Sequence, residues 1–272
     1  MPGPQGGTRP TPVGRDPRSG PAGPDAQSGP AGLRATISTP DGKQRYVRRL
    51  FATIADRYDF ITRFLSYGQD RRWKRRLIAL AGIGPSDRVL DLACGTGDIL
   101  FEAQRYGPRL GVGLDLTFRM TQLARQRNSQ STVLVGDMQA LPFGAGAFDV
   151  VTTGYGLRNV PRLPVSVREI HRVLAPGGRM LSLDFNRPDN PVVRTAYLGY
   201  LTVVGSLLGL ALHRDADTYR YIPESIRNYP GAEAVGRLLE AEGFSEVRVI
   251  PVLFGLMAIH LGRKREMPNA KC

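Results

Sequence analysis

The amino-acid sequence predicts an α/β fold in which helices cover both faces of a mostly parallel sheet. Three observations lead to this prediction. From residue 87 onward, short apolar segments alternate with helical stretches, as in parallel sheets whose crossovers are helices. A glycine-rich turn, at Gly95 and Gly97, follows the first apolar segment. The 272 residues suffice for one full-sized domain with appendages and are too few for two large domains.

The positions of the strands and helices follow from this alternation. Each strand is a short apolar run, and each helix has apolar residues recurring every three or four positions. The strands are predicted at Arg88–Leu92, Leu110–Asp115, Thr132–Val135, Phe148–Thr153, Arg179–Phe185, Glu246–Ile250 and Gly255–Gly262. The intervening helices are predicted at about 98–105, 117–127, 163–174 and 232–243. Right-handed crossovers then bring the carboxyl ends of the parallel strands to one edge, where a ligand is expected.

The two ends of the chain differ from the domain between them. Residues 1–42 are predicted to be a disordered tail, because residues 1–40 contain nine Pro and eight Gly and almost no large apolar side chains. Residues 266–272 are predicted to be a flexible C-terminus. A single domain is predicted over 43–265, and its first part, 43–85, has apolar residues at the spacing of two or three short helices.

Residues 188–231 are predicted to form a helical lid inserted before the last helix. Within this insertion, 195–212 is a run of 18 uncharged residues, which is the threshold length for a transmembrane helix. A span here would separate the strands before it from the two strands after it, so we predict an apolar lid or a segment that dips into a membrane surface. Gly205 and Gly209 have GxxxG spacing, which here indicates close packing rather than a transmembrane dimer.

The net charge of +13, from 37 basic and 24 acidic residues, is typical of proteins that bind nucleic acids or anionic membranes. The charge lies at the ends, however, since 86–261 has 18 basic and 17 acidic residues whereas 41–85 has eleven basic and four acidic. A neutral body without an aromatic and basic stripe argues against nucleic acid. A basic cluster surrounds Trp73 and indicates either a solvated helix face or peripheral contact with an anionic membrane. Its members are Arg71, Arg72, Lys74, Arg75 and Arg76.

Cysteine and histidine usage is sparse. Cys94 and Cys272 cannot build a disulfide framework, and no charged and apolar leader opens the chain, so a reduced cytoplasmic compartment is expected. Together with the basic cluster, this places the protein at the inner face of a membrane. His171, His213 and His260 are scattered without the spacing of metal ligands, so no metal site is predicted.

Glycines and acidic residues recur at the ends of three successive predicted strands. The Gly95–Gly97 turn lets the backbone pass close to a ligand at the amino end of a helix. Asp115 ends the second strand, where a carboxylate can accept from both ribose hydroxyls, and Asp137 and Met138 follow the third, where they can flank an adenine. Leu100 stands where a dinucleotide fingerprint has its third glycine. The sequence therefore predicts a nucleoside ligand without a pyrophosphate.

These residues resemble the class I S-adenosylmethionine-dependent methyltransferases over roughly 87–262. The resemblance implies a Rossmann-like, seven-stranded sheet whose last strand is antiparallel, and S-adenosyl-L-methionine as the cofactor. It places the cofactor against Asp91, Gly95, Thr96, Gly97, Asp115, Leu116, Asp137, Met138 and Gly154. Displacement of a sulfonium methyl suits such a pocket, because positioning and exclusion of water supply most of the catalysis.

Further segments are similar to the menaquinone/ubiquinone biosynthesis C-methyltransferases, from about residue 46 to 262. The similar segments are 58–59, 65–68, 71–74, 156–160, 172–179, 184–185, 217–221 and 224–227. The chain departs from the family at several positions. Phe60, Thr62 and Asp70 stand where the family usually has Met, Asn and His, and Asp184 replaces a Glu.

This second resemblance implies C-methylation of a demethylated prenyl quinol, either demethylmenaquinol, the benzoquinol precursor of ubiquinol, or both. It places Arg158 and Asn159 at the substrate as the catalytic residues, where they organise a water that takes the phenolic proton. Because arginine stays protonated, the expected role of Arg158 is to orient the ring and to stabilise a developing phenolate. The tyrosines expected to line the ring are Tyr58, Tyr155, Tyr219 and Tyr221.

Three alternatives remain open from the sequence. The chain could methylate another lipid or phenol, such as a sterol or a tocopherol-like phenol. It could be a non-catalytic, cofactor-binding scaffold of a quinone-synthesis complex, although the intact glycines and acids of the three loops count against this. It could be a basic RNA-binding protein, which the neutral body counts against. Ring preference, prenyl length and oligomeric state are not set by the sequence, and a homodimer fits it as well as a monomer.

Overall fold

The computed structural model describes residues 30–66 and 68–266 of the chain. Its centre is a seven-stranded sheet in the order β3-β2-β1-β4-β5-β7-β6. The strands are β1 (Arg88–Leu92), β2 (Leu110–Asp115), β3 (Thr132–Val135), β4 (Phe148–Gly154), β5 (Leu174–Phe185), β6 (Phe244–Val252) and β7 (Met257–Lys264). Strands β1 to β5 pair in parallel, and β7 is antiparallel to both β5 and β6. The predicted mostly parallel, Rossmann-like sheet with an antiparallel last strand is confirmed.

Ten α-helices accompany the sheet in the part of the chain that the structure describes. They are α1 (Pro30–Ile37), α2 (Pro40–Ile54), α3 (Tyr58–Leu65), α4 (Asp70–Ala81), α5 (Asp98–Gln104), α6 (Phe118–Arg127), α7 (Leu163–Val173), α8 (Pro191–His213), α9 (Tyr221–Arg227) and α10 (Ala232–Ala241). Short 3₁₀ turns span Ala55–Arg57 and Leu157–Asn159. The three helices α2, α3 and α4 occupy the stretch in which the sequence predicts two or three.

The core has two layers because successive side chains of a strand point to opposite faces of the sheet. In β1, Val89 belongs to the apolar cluster that contains Leu77 of α4. Its neighbour Leu90 belongs to the cluster on the other face, with Val167 of α7 and Val235 of α10. Helices therefore cover both faces, as predicted. The parallel register then brings the carboxyl ends of β1, β2, β3 and β4 to one edge of the sheet.

The disorder predicted through residue 42 is wrong at its C-terminal end, because helices α1 and α2 already occupy most of 30–42. Leu33 of α1 is buried against Val47 of α2, and the Thr39 hydroxyl caps α2 by accepting a hydrogen bond from the Gly42 amide at 3.2 Å. A few apolar residues thus anchor a segment whose high proline and glycine content predicts disorder. The rest of the predicted tail, 1–29, lies outside the described residues.

Most other strand and helix boundaries lie within two residues of the prediction, and two of the differences have a local cause. Strand β5 begins at Leu174 instead of Arg179, because the Pro-Gly-Gly segment between them forms an irregularity in the β4–β5 pairing rather than ending the helix. Strand β7 begins at Met257, because Gly255 has a positive φ of 82° in the turn before it. The end of the predicted flexible C-terminus, 267–272, lies outside the described residues.

The predicted lid insertion consists of α8 and α9 with the segment that joins them. Within the described residues, α8 is the one helix long and apolar enough to cross a membrane, with a mean hydropathy of 1.6 and 22% of its apolar window buried. A Cβ at Gly209 would lie 2.4 Å from the Asp215 carbonyl oxygen, and one at Gly205 would lie 3.3 Å from Tyr219 Cβ. The two glycines therefore let the 215–219 segment pack closely on α8.

Candidate active site

Two adjoining cavities open at the carboxyl edge of the sheet. The first, which we call the apolar cavity, measures about 490 Å³ and lies between α2, α3, α8 and the 253–257 segment. The second, which we call the loop cavity, lies against the turns that follow β1, β2, β3 and β4. Phe51, Tyr58 and Tyr155 line both cavities. A group bound in one cavity can therefore meet a group bound in the other at these three aromatic side chains.

The loop cavity brings together most of the residues predicted to bind the cofactor. Those that line it are Gly95, Asp115, Leu116, Asp137, Met138 and Gly154. Asp91, Thr96 and Gly97 do not line it. The hydroxyl of Thr96 instead donates to Asp59 Oδ1 at 2.6 Å, so Thr96 joins the turn to helix α3.

Asp115 is held in place by the turn beside it. One carboxylate oxygen accepts from the Gly95 amide at 2.9 Å, and the other accepts from the Thr117 amide at 2.8 Å. Burial raises the pKa of Asp115, although these two backbone amides oppose the rise. A carboxylate has about four lone-pair positions, so two remain for the vicinal hydroxyls of a ribose.

The Gly95–Gly97 turn depends on its glycines. Gly95 has a φ of 54° and Gly97 a φ of 92°, which is the left-handed region that only glycine adopts readily. A Cβ at Gly97 would lie 2.4 Å from the ring of Phe101. At Gly95 the nearest atom to such a Cβ, on the Tyr58 ring, is 3.9 Å away, so the turn leaves open space where it faces the loop cavity.

Asp91 lies beneath this turn and is fully buried. Its Oδ1 accepts from the Thr152 hydroxyl at 2.8 Å, and its Oδ2 has no hydrogen-bond partner among the described residues. Burial raises the pKa of Asp91 to about 7. Asp91 lines neither cavity, so its role is to support the turn. The free acceptor positions of Asp115 beside that turn fit the ribose of a nucleoside ligand such as S-adenosylmethionine.

Helix α2 covers the loop cavity, which the sequence did not predict. The Gln44 side-chain amide donates to Asp137 Oδ2 at 2.6 Å. Lys43 Nζ donates to the carbonyl oxygens of Arg158 and Val160 at 2.9 and 2.8 Å. Burial, reinforced by the charge of Arg158, lowers the pKa of Lys43 to about 8. These contacts fasten α2 across the site, and no local motif in the sequence marks them.

All four predicted tyrosines line the apolar cavity. Burial raises the pKa of Tyr58 and of Tyr219 to about 12, and it raises the pKa of Tyr221 further. These hydroxyls therefore stay protonated and can donate hydrogen bonds. The buried hydroxyl of Tyr221 has no hydrogen-bond partner in the part of the chain that the structure describes, which suits donation to an oxygen of a bound ring.

Arg158 lines the apolar cavity and Asn159 lines the loop cavity. The Arg158 guanidinium donates to the Ser225 hydroxyl at 2.8 Å and lies 4.9 Å from the Phe185 ring centroid. Its Nε is 3.1 Å from Asp184 Oδ1, but off the axis of a hydrogen bond, so it remains unsatisfied among the described residues. The arrangement presents a buried cation to the cavity.

Asn159 acts on the backbone of its neighbour rather than on the apolar cavity. Its side-chain amide donates to the carbonyl oxygen of Tyr155 at 2.7 Å. Tyr155 directly follows β4 and has a φ of 59°, which is unusual for a residue with a bulky side chain. Asn159 therefore holds Tyr155 in the conformation that places its ring between the two cavities.

Lys74 differs from the other members of the basic cluster around Trp73. Arg71, Arg72, Arg75 and Arg76 are exposed, as a solvated or lipid-facing helix requires. Lys74 is buried and forms ion pairs with Asp70 and Asp98. The spacing of Asp70 and Lys74, which places them on one helix face, was the signal available in the sequence for this pair.

Solved structures share this fold. A possible histamine N-methyltransferase from Thermotoga maritima superposes with a TM-score of 0.58 at 17% identity, covering 80% of this chain and all of that one. Magnesium protoporphyrin IX methyltransferase from Synechocystis PCC 6803, solved with bound S-adenosylhomocysteine, gives a TM-score of 0.59 at 17% identity and covers 81% of this chain and 99% of that one. At such identities the likeness concerns the fold.

Curated relatives are much more similar in sequence. The ubiquinone/menaquinone biosynthesis C-methyltransferase UbiE of Dinoroseobacter shibae is 37% identical over 231 residues, which cover 82% of this chain and 92% of the relative. The demethylmenaquinone methyltransferase of Thermus thermophilus is 40% identical over 218 residues, which cover 78% and 99%. The demethylmenaquinone methyltransferase of a Roseiflexus species is 37% identical over 229 residues, which cover 83% of this chain and 96% of the relative.

The family model described as the ubiE/COQ5 methyltransferase family matches residues 39–264. This match spans the whole described domain from α2 to β7. It confirms the predicted methyltransferase and its cofactor, S-adenosyl-L-methionine. The chain belongs to the ubiE/COQ5 methyltransferase family.

Proposed function

We propose that this enzyme transfers the methyl group of S-adenosyl-L-methionine to a ring carbon of a demethylated prenyl quinol in respiratory quinone biosynthesis. The observation that supports the proposal best is the pair of adjoining cavities. One has the ribose acid and glycine turn of a nucleoside site, and the other is large and lined mainly by aliphatic and aromatic side chains. The relatives named for menaquinone or ubiquinone biosynthesis agree with an apolar, ring-bearing substrate.

The residues at the boundary have separate roles in this proposal. S-adenosyl-L-methionine, when bound, supplies the electrophilic methyl group. Arg158 places a buried positive charge at the apolar cavity and stabilises the oxygen that becomes negative as the ring carbon attacks. Tyr221 donates to a ring oxygen through its unpartnered hydroxyl. The aromatic walls exclude water, which protects the sulfonium and holds the ring in line.

The test is methyl transfer by purified protein from labelled S-adenosyl-L-methionine to demethylmenaquinol and to the benzoquinol precursor of ubiquinol, each in detergent. We expect label in at least one quinol, and the ratio of the two rates gives the ring preference. Label in neither quinol would refute the proposed substrate class. A sterol and a tocopherol-like phenol are assayed in parallel, so that transfer to another lipid is recognised.

We also propose that the protein works as a peripheral enzyme at the cytoplasmic face of an anionic membrane. Exposed apolar side chains surround the mouth of the apolar cavity, and we call them the rim patch. Its members are Phe60, Phe64, Val192, Val193 and Phe254. Each of them lines the cavity or is next in sequence to a residue that does.

Charge and shape support a lipid partner for the rim patch. Phe60 and Phe64 stack on each other 6.3 Å apart on α3, and the exposed arginines of α4 follow directly in the chain. Exposed aromatics beside basic residues suit the interface of an anionic bilayer. A prenyl tail would then pass from the bilayer into the cavity without crossing water.

Vesicle flotation tests this membrane contact. We expect binding to vesicles that contain phosphatidylglycerol, weaker binding to pure phosphatidylcholine, and loss of binding in the double variant Phe60→Ser with Phe64→Ser. Tyr106→Phe, an exposed aromatic at a distance from the rim patch, serves as the control. Equal binding by the double variant would refute the membrane contact. A dimer that forms without lipid and dissociates in the double variant would instead assign the rim patch to a second copy of the chain.

A further inference from the structure

A buried polar chain begins at the boundary of the two cavities. The Tyr155 hydroxyl donates to Asp70 Oδ1 at 2.6 Å. The other oxygen of Asp70 is 2.6 Å from Lys74 Nζ, which also donates to Asp98 at 2.9 Å. Asp98 in turn accepts from the Arg127 guanidinium at 2.7 Å. The side chains of Asp70 and Lys74 are less than a tenth exposed, whereas that of Asp98 is 29% exposed, so the chain of contacts leads from the site to the surface.

The surroundings of Asp70 indicate that the Tyr155 hydroxyl is close to the apolar cavity. Its partner Asp70 is the first residue of α4, and the Asp70 backbone amide donates a hydrogen bond to the Ser66 hydroxyl at 3.2 Å. Ser66 and Trp73, which flank Asp70 in the chain, both line the apolar cavity, as Tyr155 does. A phenol bound in the cavity can therefore reach the Tyr155 oxygen, which still has lone pairs to accept with.

A carboxylate and an ammonium group lie next to Tyr155 along this polar chain. Burial raises the pKa of Tyr155, with Asp70, Tyr58 and Asp184 adding to the rise, so Tyr155 is a neutral phenol and must pass its own proton to Asp70 if it takes one from a substrate. Lys74 Nζ lies 5.8 Å from the Tyr155 ring centroid. Burial lowers the pKa of Lys74, but the carboxylates of Asp70 and Asp98 outweigh it and hold the pKa above its usual value. Lys74 therefore remains a cation beside the relay.

We propose that Tyr155 and Asp70 form the relay that takes the phenolic proton of the quinol. This inference rests on the proposed function and names the proton acceptor for it. The substrate hydroxyl passes its proton to the Tyr155 oxygen while the Tyr155 proton moves to Asp70. The adjacent ring carbon forms a bond to the methyl carbon as the carbon–sulfur bond breaks, and that electron pair stays on sulfur.

The remaining step restores the aromatic ring and balances the protons. The ring carbon now bears both hydrogen and methyl. It releases this hydrogen as a proton to water, and the electron pair of the C–H bond re-forms the ring double bond. The oxygen recovers the relayed proton from Tyr155 as Asp70 returns the proton to Tyr155. One proton is released per methyl transferred, and no oxidant or reductant is needed. In this relay Tyr155 contacts the substrate, and Asp70 acts through Tyr155 as a positioning residue.

The other buried acid near the cavity is less suited to this role. Asp184 accepts from the backbone amides of Arg158 and Phe185 and is paired with the Arg158 guanidinium. Its oxygens are therefore occupied in holding Arg158. Asp70, by contrast, accepts a hydrogen bond from the hydroxyl of Tyr155, a residue that lines both cavities.

The test compares kcat as a function of pH for the wild-type enzyme, Asp70→Asn and Tyr155→Phe, with the cofactor Kd measured separately. We expect kcat at neutral pH to fall about a hundredfold in each variant, with the Kd of S-adenosylhomocysteine within threefold of wild type. In both variants the loss should shrink about tenfold per pH unit as the quinol begins to ionise by itself in solution. Asp149→Asn, which removes a partly buried carboxylate paired with Arg88 far from the site, is the matched control.

A second variant tests the relay by moving its pH dependence. Asp70→His retains a proton acceptor, so it should keep most of kcat and move the acid limb of the profile into the range of about pH 5 to 7 where histidine titrates. A purely structural role of Asp70 would not move this limb.

The outcomes separate the relay from the proposed substrate. Wild-type turnover with kcat of Asp70→Asn and Tyr155→Phe within threefold at all pH values refutes the relay alone. A loss that is constant with pH, or an Asp70→His profile shaped like that of wild type, also refutes it. A wild-type enzyme that methylates neither quinol refutes the substrate assignment and the relay together. If Asp70→Asn loses cofactor binding, Tyr155→Phe and Asp70→His decide the outcome.

Discussion

Asp115→Asn tests whether the loop cavity recognises a ribose. Asp115 is buried and already accepts hydrogen bonds from the backbone amides of Gly95 and Thr117. The substitution replaces one acceptor oxygen with an NH₂ donor, at a site where the neighbouring groups are themselves donors. One charge-assisted hydrogen bond to a ribose hydroxyl is lost and the other weakens, at about 1.5–3 kcal/mol for a bond to a charged group. Binding should weaken by about 2–4 kcal/mol, which is a rise in Kd of about 30- to 1000-fold.

The same substitution also affects the fold, and the two effects are measured separately. An amide of Gly95 or Thr117 that faces the new NH₂ group loses its acceptor, so the free energy of unfolding should fall by about 1–3 kcal/mol. Urea denaturation without ligand measures this fall, and calorimetric titration with S-adenosylhomocysteine at a temperature where both proteins are folded measures the Kd. Asp149→Asn, at the opposite edge of the sheet, is the control for loss of a carboxylate.

A ligand analogue without ribose hydroxyls makes the test specific. If Asp115 binds the ribose, wild type should lose affinity for the dideoxy analogue of S-adenosylhomocysteine and Asp115→Asn should lose little more, because the contact is already gone. If the affinity lost through Asp115→Asn and the affinity lost through removal of the ribose hydroxyls simply add in the doubly changed complex, Asp115 and the ribose do not interact. If Asp115→Asn binds intact S-adenosylhomocysteine with a Kd within threefold of wild type, while its free energy of unfolding is reduced, Asp115 has only a structural role.

Two further predictions concern the buried acids. Asp184→Asn leaves the buried Arg158 charge without its partner, so the free energy of unfolding should fall by about 3–5 kcal/mol with the cofactor Kd unchanged; a fall below about 1 kcal/mol in urea denaturation would contradict this. Burial raises the pKa of Asp91 to about 7, so the folded protein keeps a proton that the unfolded chain loses near pH 4. Its free energy of unfolding should therefore decline from pH 4 to 7 by up to about 4 kcal/mol more than that of Asp91→Asn, as parallel denaturation curves at each pH can show.

The strand pattern and the glycine turn sufficed to predict the sheet, because both depend on local sequence. Val89 and Leu90 alternate between faces, and Gly95 and Gly97 mark a turn whose positive φ angles favour glycine. Asp115 could be placed at the loop cavity for the same reason, since a strand end fixes its position. These features need no knowledge of distant parts of the chain.

The covering of the site could not be predicted, because it depends on contacts between distant segments. Gln44 meets Asp137 across 93 residues, and Lys43 meets the Arg158 carbonyl across 115. No periodicity relates such positions. The proline and glycine content of residues 1–40 predicts a tail that includes 30–42, because it outweighs the few apolar residues that anchor this segment.

Lys74 shows why charge in the sequence is a poor guide to charge at the surface. Counted with its neighbours, it belongs to a basic cluster around Trp73, and four of those residues are indeed exposed. Lys74 is buried instead, because it forms ion pairs with Asp70 and Asp98. Asp70 and Lys74 lie on one face of α4, one helical turn apart, and Asp98 is the first residue of α5. The same helix thus presents arginines outward, toward the proposed lipid, and a neutralised ion pair inward, against Tyr155. A membrane-facing surface and a proton relay can therefore lie on opposite sides of one short helix, which would let a quinol enter from lipid and lose its proton without meeting bulk water.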